Sequence, residues 1–252
     1  MTAKCGSPGG TIALLSQGGL DTIDNCSTIS GSIYIHATGD IDQIVLPPSL
    51  KVLTGSCLCN GGADTDSVDA ISAQGLTSVA TDPSDQGAKS VGLVVTNYNN
   101  LKTVNFPNVT TIGSNLVMSG NPSVNDVSGF NSLNAVSGNV DITGNFDSLA
   151  LPSLAFVNGS FNVQTTSTNF TCPDFSMVAI KGSFVCKGNV ANPQPLENDN
   201  STSNPSSLPN MTTPSVSSTV AASTSGAAVA TTSATSMASV VSVSGNFPSQ
   251  IR

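Results

Sequence analysis

The chain has 252 residues and few charges, with seven Lys or Arg against fifteen Asp or Glu and a formal net charge of −8. The charged fraction of 9% lies far below the roughly 25% of an ordinary soluble domain. With 23 Gly and 14 Pro, the composition excludes a helical bundle rich in Glu, Lys and Leu. The scarcity of basic residues argues against nucleic acid as a partner, because little positive charge is available to neutralise phosphates.

A short apolar motif recurs along residues 1–190. Each copy has an apolar residue shortly before a Gly and alternating apolar residues after it. The copies lie at 29–35, 53–59, 112–118, 136–142, 157–163 and 180–186, with a degenerate copy at 91–95. Their glycines are 24, 37, 21, 25, 21 and 23 residues apart, so one unit carries an insertion and the others keep the period of a solenoid.

Each repeat has a physical interpretation as one turn of a coil. Alternating apolar residues such as Leu116 and Met118 predict a short strand with one buried face, and the preceding Gly offers a corner without a Cβ. Asn121 and Asn145 follow two of the strands, and their side chains are expected to satisfy backbone groups at the corner and to stack as a ladder. Prolines such as Pro107 predict an extended return segment, because they prevent helix continuation.

The repeats together predict an all-β fold. We expect a right-handed parallel β-helix, or leucine-rich-like solenoid, of about seven turns over residues 1–190, with a continuous apolar interior. Tyr34, Asp141 and Asn162 alternate with apolar positions and are therefore expected to face outward. Because a solenoid has an unpaired strand edge at each end, both ends are expected to carry caps.

Four of the six cysteines lie at the two ends of the repeat region. We predict that Cys5 pairs with Cys26 and that Cys172 pairs with Cys186. Each disulfide closes a loop of about 15 to 22 residues and is expected to stabilise the fold by about 3 kcal/mol in the chain-entropy model. Such pairs indicate an oxidising compartment.

The other two cysteines, Cys57 and Cys59, occupy the inward positions of a single predicted strand. Two residues apart on one strand, they are poorly placed to bond to each other. Two interpretations remain open at this point. Either both are buried apolar thiols, or a rearranged bridge joins one of them to Cys5 or Cys26.

Residues 191–252 are predicted to form a disordered Ser/Thr-rich segment. Residues 201–250 contain 23 Ser or Thr and no charged residue, so they cannot bury enough apolar surface to fold. Prolines within this composition are typical of an O-glycosylated stalk, and a bare flexible linker is the alternative. Six N-glycosylation sequons also indicate secretion, at Asn25, Asn108, Asn158, Asn169, Asn200 and Asn210.

The two ends of the sequence carry no complete targeting signal. Residues 1–20 lack a basic segment followed by a long apolar one, and residues 240–252 lack an apolar tail of about 10 to 20 residues. We therefore expect the natural protein to extend beyond both ends. No segment is predicted to span a bilayer.

The sequence predicts no catalytic, cofactor-binding or metal-ligating residues. Enzymes built on β-helices need clustered carboxylates, usually with a basic partner. The sole His36 follows a strand and is expected to be a surface residue, the sole Arg252 lies in the tail, and Asp141 has no evident second carboxylate in the neighbouring repeats. A non-enzymatic protein is therefore expected.

Two further motifs are weak. Asp64, Asp66 and Asp69 have a spacing that suggests calcium, but the remaining loop ligands are missing, so a solvated insertion is favoured. Residues 87–90, Gly-Ala-Lys-Ser, do not form a phosphate loop, because the Gly does not directly precede the Lys and the first Gly is absent.

Residues 26–35, Cys-Ser-Thr-Ile-Ser-Gly-Ser-Ile-Tyr-Ile, resemble the opening of a receptor L domain, the leucine-rich-like β-helix of insulin-receptor-type ectodomains. With the closing segments 170–175 and 182–188 and the Ser/Thr-rich tail, the chain more closely resembles the fungal GPI-anchored cell-wall organisation proteins related to the sporulation-specific family. The resemblance covers roughly residues 5–190 and the type of tail, and rests on the order of the motifs.

This resemblance implies a glycosylated, non-enzymatic cell-surface protein that contributes to cell-wall organisation and integrity. It implies an extracellular location, at the cell wall or the outer face of the plasma membrane, with membrane attachment only through a lipid anchor. The expected partners are wall polysaccharide or other wall proteins, and no cofactor is expected. The alternative is a β-helix that binds or cleaves wall polysaccharide.

Overall fold

A computed structural model describes residues 5–36, 41–62, 67–80 and 91–196, and these form a parallel β-solenoid of about seven turns. The interior is apolar along the whole coil, as the repeat predicts. One short helix, α1 (Gln17–Asp21), lies near the start, where the Ser16 side chain accepts a hydrogen bond from the Gly19 N–H. Among the described residues, no helix has the length and apolar character needed to cross a membrane.

One row of strands forms the main face of the solenoid, and all its pairings are parallel. In spatial order these strands are β1 (Gly6–Leu14), β2 (Thr28–Ile35), β5 (Cys57–Asn60), β8 (Leu93–Thr96), β11 (Leu116–Ser119), β14 (Val140–Gly144), β17 (Phe161–Thr165) and β19 (Phe184–Lys187).

A second row shares the long strand β2, which turns the corner between the two faces. Its other members are β4 (Val52–Leu53), β7 (Ser78–Val79), β10 (Thr111–Ile112), β13 (Ala135–Val136), β16 (Phe156–Val157) and β18 (Ala179–Ile180). Two smaller groups complete the turns, β3 (Gln43–Val45) with β6 (Ala70–Ser72) and β9 (Thr103–Asn105), and β12 (Asp126–Val127) with β15 (Ser148–Leu149).

The register of the main face confirms the repeat. Residues at the first inward position pair in one column, which runs Ile33, Cys57, Leu93, Leu116, Val140, Phe161 and Phe184. All members of this column are buried except Phe184, which is 50% exposed because β19 is the last strand of the row. Stacked turns therefore cover each other's apolar side chains, and the final turn is covered on one side only.

The degenerate copy of the motif differs from the prediction. The second row places Val79 beside Leu53 and Ile112, so Val79 and not Val91 supplies the apolar residue before the corner in that turn. Residues 81–90 lie in the sequence between Val79 and β8, the main-face strand of the same turn. This insertion breaks the regular spacing from which Val91 was assigned to the apolar position before the Gly. The extra length of that unit lies between its two strands.

The corner glycines are needed for close approach between turns. A Cβ on Gly159 would lie 2.2 Å from Asn139 Oδ1 and 2.7 Å from the carbonyl oxygen of Gly138. A Cβ on Gly182 would lie 2.6 Å from the backbone nitrogen of Ser160. Any larger residue must therefore push neighbouring turns apart at this corner.

Disulfides join the predicted pairs at both ends of the coil. Cys5 is bonded to Cys26 with a Cα–Cα distance of 5.5 Å, and Cys172 is bonded to Cys186 with a Cα–Cα distance of 5.9 Å. The first ties β1 to the segment that enters β2, and the second ties the last strand β19 to the chain before β18. Both therefore connect the terminal turns, where neighbouring strands protect the backbone from one side only.

Candidate functional site

The outward side chains of the main face form the candidate surface, which we call the outer face. Register places its first row as Tyr34, Leu58, Val94, Val117, Asp141, Asn162 and Val185. A second row comprises Asn60, Thr96, Ser119, Thr143, Gln164 and Lys187. The first row is mostly apolar toward the N-terminal end and becomes polar at β14 and β17.

Three side chains of these rows are joined by hydrogen bonds, and we call them the polar cluster: Asp141, Asn162 and Gln164. Asn162 Nδ2 donates to Asp141 Oδ1 at 2.8 Å, and Gln164 Nε2 donates to Asn162 Oδ1 at 2.8 Å. Parallel pairing of β14 with β17 brings Asp141 beside Asn162, and alternation along β17 puts Gln164 on the same side. The cluster is thus a direct product of the strand register.

The polar cluster is covered by residues 192–196, which lie across the outer face. The Leu196 N–H donates to Asp141 Oδ2 at 3.0 Å, and Asn162 Nδ2 donates to the Gln194 carbonyl oxygen at 3.0 Å. Asp141 and Asn162 point outward as predicted, yet they are only 7% and 2% exposed. The expectation of an exposed polar face is wrong at these two positions, because the chain that follows the solenoid folds back over them.

Burial raises the pKa of the Asp141 carboxyl above its ordinary value, and hydrogen bonds from Asn162 and the Leu196 N–H oppose part of that shift. Both carboxyl oxygens are engaged by groups of this chain. A general acid or base must reach a substrate proton directly or through one water. Asp141 is therefore arranged to hold the covering segment in place.

His36 lies at the opposite end of the outer face, beyond Tyr34. Its Nδ1 is 2.7 Å from the Asn60 carbonyl oxygen, so Nδ1 carries the hydrogen in this contact. The Tyr34 and His36 rings are nearly parallel, with centroids 6.2 Å apart. His36 is half-buried, whereas the sequence suggested a surface residue. The pair forms an aromatic patch that the repeat pattern did not indicate.

Cys57 and Cys59 are unpaired and fully buried in the interior columns. A bridge to Cys5 or Cys26 is excluded, because those two cysteines are bonded to each other. A side-chain hydrogen bond with Cys59 and burial raise the pKa of Cys57 well above its ordinary value. Both residues therefore act as small apolar core residues, which is the first of the two interpretations.

The weak motifs are only partly within the described residues. Asp69 Oδ2 is 3.8 Å from Lys102 Nζ, in a contact between two partly exposed side chains. Asp64 and Asp66 lie outside the described residues, as do residues 87–90. Within the described ranges, no group of three His, Cys, Asp or Glu side chains is placed to hold a metal ion.

Four of the six sequons fall in the described ranges, and the Asn side chains of all four are exposed: Asn25, Asn108, Asn158 and Asn169. Two of them already contact the backbone of the preceding turn, since Asn108 Nδ2 donates to the Gln74 carbonyl oxygen and Asn158 Nδ2 donates to that of Ser137. Asn200 and Asn210 lie outside the described residues. N-glycosylation of the four exposed positions stays a prediction.

Sequence reasoning missed a ladder of polar side chains at the corner next to the glycines. The Ser56 N–H donates to Ser32 Oγ at 2.9 Å, and the same contact recurs from turn to turn. Its later members include the Asn139 N–H donating to Asn115 Oδ1, and the Ser160 N–H donating to Asn139 Oδ1. The signal was visible, since a Ser or Asn follows most of the motif glycines.

The two predicted corner asparagines behave differently. Asn121 is buried, donates to the Val95 carbonyl oxygen at 2.9 Å and accepts the Tyr98 N–H at 3.0 Å, as expected. Asn145 is exposed and accepts a hydrogen bond from Thr166 Oγ1 at 2.7 Å. The two therefore bond to different partners, and the predicted stacking between them is not among the contacts they make.

Comparison with known proteins identifies relatives of part of the chain. A cell surface GPI-anchored protein of Arthroderma benhamiae is 31% identical over 106 residues, which is 40% of this chain and 27% of that protein. Sporulation-specific protein 2 of Saccharomyces cerevisiae is 30% identical over 91 residues, or 36% and 18% of the two chains. Cell wall protein ecm33 of Schizosaccharomyces pombe is 48% identical over 54 residues, or 20% and 12%.

These matches span about a quarter or less of the length of the relatives. No family model matches the chain. No solved structure matches it either. The names of the relatives confirm the predicted extracellular location, at the cell wall or the outer face of the plasma membrane. Over the matched segments the chain is thus similar to fungal GPI-anchored cell-surface and cell-wall proteins of the ecm33 and sporulation-specific protein 2 type, as its motifs predict.

Proposed function

We propose that the chain is a non-enzymatic cell-surface glycoprotein that contributes to the organisation and integrity of the fungal cell wall. The observation that carries this proposal is the similarity to proteins named for the cell surface and the cell wall. Wall polysaccharide or other wall proteins are the proposed partners. A solenoid with a disulfide at each end suits a role in which the protein presents a surface to partners.

The geometry of the outward carboxylate supports a non-enzymatic role. Asp141 accepts hydrogen bonds from Asn162 and from the Leu196 N–H, and it is buried beneath residues 192–196. The exposed sequon side chains offer positions for glycans on the outside of the coil. Attached glycans would add hydrated bulk to a protein with little surface charge of its own.

Deletion of the gene in its native cell tests the proposal. We expect the deletion strain to become sensitive to dyes that perturb the wall, and expression of the full-length protein to restore resistance. The Asp141→Asn variant should restore resistance to the extent that it folds, because no catalytic step depends on this carboxyl. Unchanged dye sensitivity on deletion would contradict the proposal.

The aromatic pair of the outer face favours a second candidate function, binding or cleavage of wall polysaccharide. Flat aromatic rings present apolar surface beside polar groups, and Tyr34 and His36 lie side by side next to Asn60. A glycan array probed with the full chain and with Tyr34→Ala separates the two candidates. Binding that depends on Tyr34 supports recognition, and turnover abolished by Asp141→Asn would show an enzyme and overturn the first proposal.

A further inference from the structure

The segment that follows the last strand does not continue beyond the end of the coil. After β19 the chain turns back, and the Asn189 and Val190 N–H groups donate to the carbonyl oxygens of Ser167 and Thr165. Residues 192–196 then cross the outer face from the strand β17 toward β14. We call residues 192–196 the strap.

The side chains of the polar cluster contact main-chain atoms of the strap. Gln164 Nε2 donates to the Gln194 carbonyl oxygen at 3.1 Å, and the Gln194 N–H approaches Gln164 Oε1 at 3.4 Å. The carboxamide of Gln164 thus pairs with both main-chain groups of one residue, as a neighbouring strand would. Asp141 accepts the N–H two residues later, at Leu196, which is the spacing of an extended chain.

The strap side chains take little part in these contacts. Gln194 Nε2 donates to the carbonyl oxygens of Asn192 and Pro193 in its own segment. The sequence of the strap instead favours its conformation, because Pro193 and Pro195 fix their own φ and steer the residues before them toward extended backbone. Pro195 has no N–H to leave unsatisfied between the two contact residues.

We propose that Asp141, Asn162 and Gln164 form a docking site for an extended, proline-containing main chain, that the strap of the same chain occupies it, and that this fixes where the C-terminal segment leaves the solenoid. The exit point is over β14, two strands inside the edge strand β19. A pull on the C-terminal segment therefore acts first on these hydrogen bonds and reaches β19 only after they break. This inference is independent of the proposed function.

Residue-resolved amide exchange on the full chain tests the proposal, with the Leu196 N–H as the reporter. In the wild type we expect this amide to exchange at least about tenfold more slowly than an unstructured amide. Gln164→Ala removes the two hydrogen bonds that Gln164 makes with Gln194 and leaves only the one from Asn162 Nδ2, so most of that protection is expected to be lost. Amides of β14 and β17 should stay protected and so show that the variant is folded.

Two variants of the strap itself serve as matched tests. Gln194→Ala removes the Gln194 side chain but keeps the main-chain N–H and carbonyl oxygen that contact Asn162 and Gln164. The Leu196 N–H should therefore stay protected. Pro195→Ala removes none of the hydrogen bonds between the strap and the polar cluster and should speed exchange only about two- to fivefold, because the free segment gains conformational freedom. Asp126 is an exposed strand residue whose carboxylate accepts hydrogen bonds from the hydroxyls of Ser128 and Ser148. Asp126→Ala is therefore a control for substitution elsewhere on the coil.

Three results would overturn the proposal. The first is a wild-type Leu196 amide that exchanges as fast as an unstructured one. The second is the reversed pattern, in which Gln194→Ala releases the strap and Gln164→Ala leaves it protected. The third is protection that increases with protein concentration, since that would place the strap of one molecule on another.

Discussion

Two phenylalanines in the same interior column provide a direct test of how the turns stabilise each other. Phe161 and Phe184 pair in register on adjacent strands, with ring centroids 5.4 Å apart, and both rings also contact Phe175. Phe161 is fully buried between two turns, whereas Phe184 is 50% exposed on the last turn. The two residues therefore share chemistry and column and differ mainly in coverage.

The structure sets different costs for truncating the two rings. Phe161→Ala loses the full transfer term and leaves an enclosed cavity, which together cost about 4 kcal/mol. Phe184→Ala loses roughly half of the transfer term, about 1 to 1.5 kcal/mol, and leaves an open surface in place of a cavity. Each variant also loses two ring contacts, so those terms nearly cancel in the comparison. The expected difference is about 2.5 kcal/mol.

Equilibrium denaturation of both variants and the wild type measures this difference as a change in the free energy of unfolding. Equal slopes against denaturant concentration are needed for the comparison, because repeat proteins can lose two-state behaviour. Losses that agree within about 0.5 kcal/mol, or a larger loss for Phe184→Ala, would refute the idea that successive turns cover each other's apolar side chains.

The buried Asp141 carboxyl, the Cys5–Cys26 disulfide and the corner hydrogen bonds can each be tested by substitution. Burial raises the pKa of the Asp141 carboxyl above its ordinary value of 3.8, so the folded state binds this proton more tightly than the unfolded state does. The contribution of Asp141 to the free energy of unfolding therefore falls as the pH rises from 3.8 through the pKa of the folded state. The free energy of unfolding of Asp141→Asn, measured by denaturation across the same pH range, should not show this fall. Parallel curves of unfolding free energy against pH for the variant and the wild type would contradict the prediction. Replacing Cys5 and Cys26 by Ser should lower stability by about 3 kcal/mol under oxidising conditions, given their separation of 21 residues. A deficit that persists at full size when both proteins are reduced would show that the bond is not the cause. Asn139→Ala leaves the Ser160 N–H without its side-chain acceptor and should cost about 1 to 2 kcal/mol by denaturation. A loss near zero would mean that water replaces the asparagine.

The register of the coil could be predicted because burial selects residue type at every second position. Leu116, Val140 and Phe161 share a column since only apolar side chains tolerate the dry interior, and that preference leaves a periodic trace in the sequence. The prediction was wrong at Val91, where the insertion 81–90 separates a strand from its corner residue Val79. Periodicity carries no information about which side of an insertion a residue belongs to.

The covering of the outer face could not be predicted in the same way. Gln194 and Leu196 contribute main-chain groups to the contact, and every residue except proline carries the same main-chain groups. Their side chains therefore left no signal that residues 191–196 belong with the solenoid. The corner ladder is a different case. A Ser or Asn after most of the motif glycines was visible in the sequence, but the strand pattern alone did not assign it a role.

Successive turns of the solenoid pair in parallel and in register, and nuclear Overhauser contacts between backbone protons of β11 and β14 measure this pairing directly. We expect cross-strand contacts that advance in the same direction along both strands and link Leu116 with Val140 and Met118 with Ile142. Contacts that run in opposite directions along the two strands, or that are shifted by one residue, would contradict it.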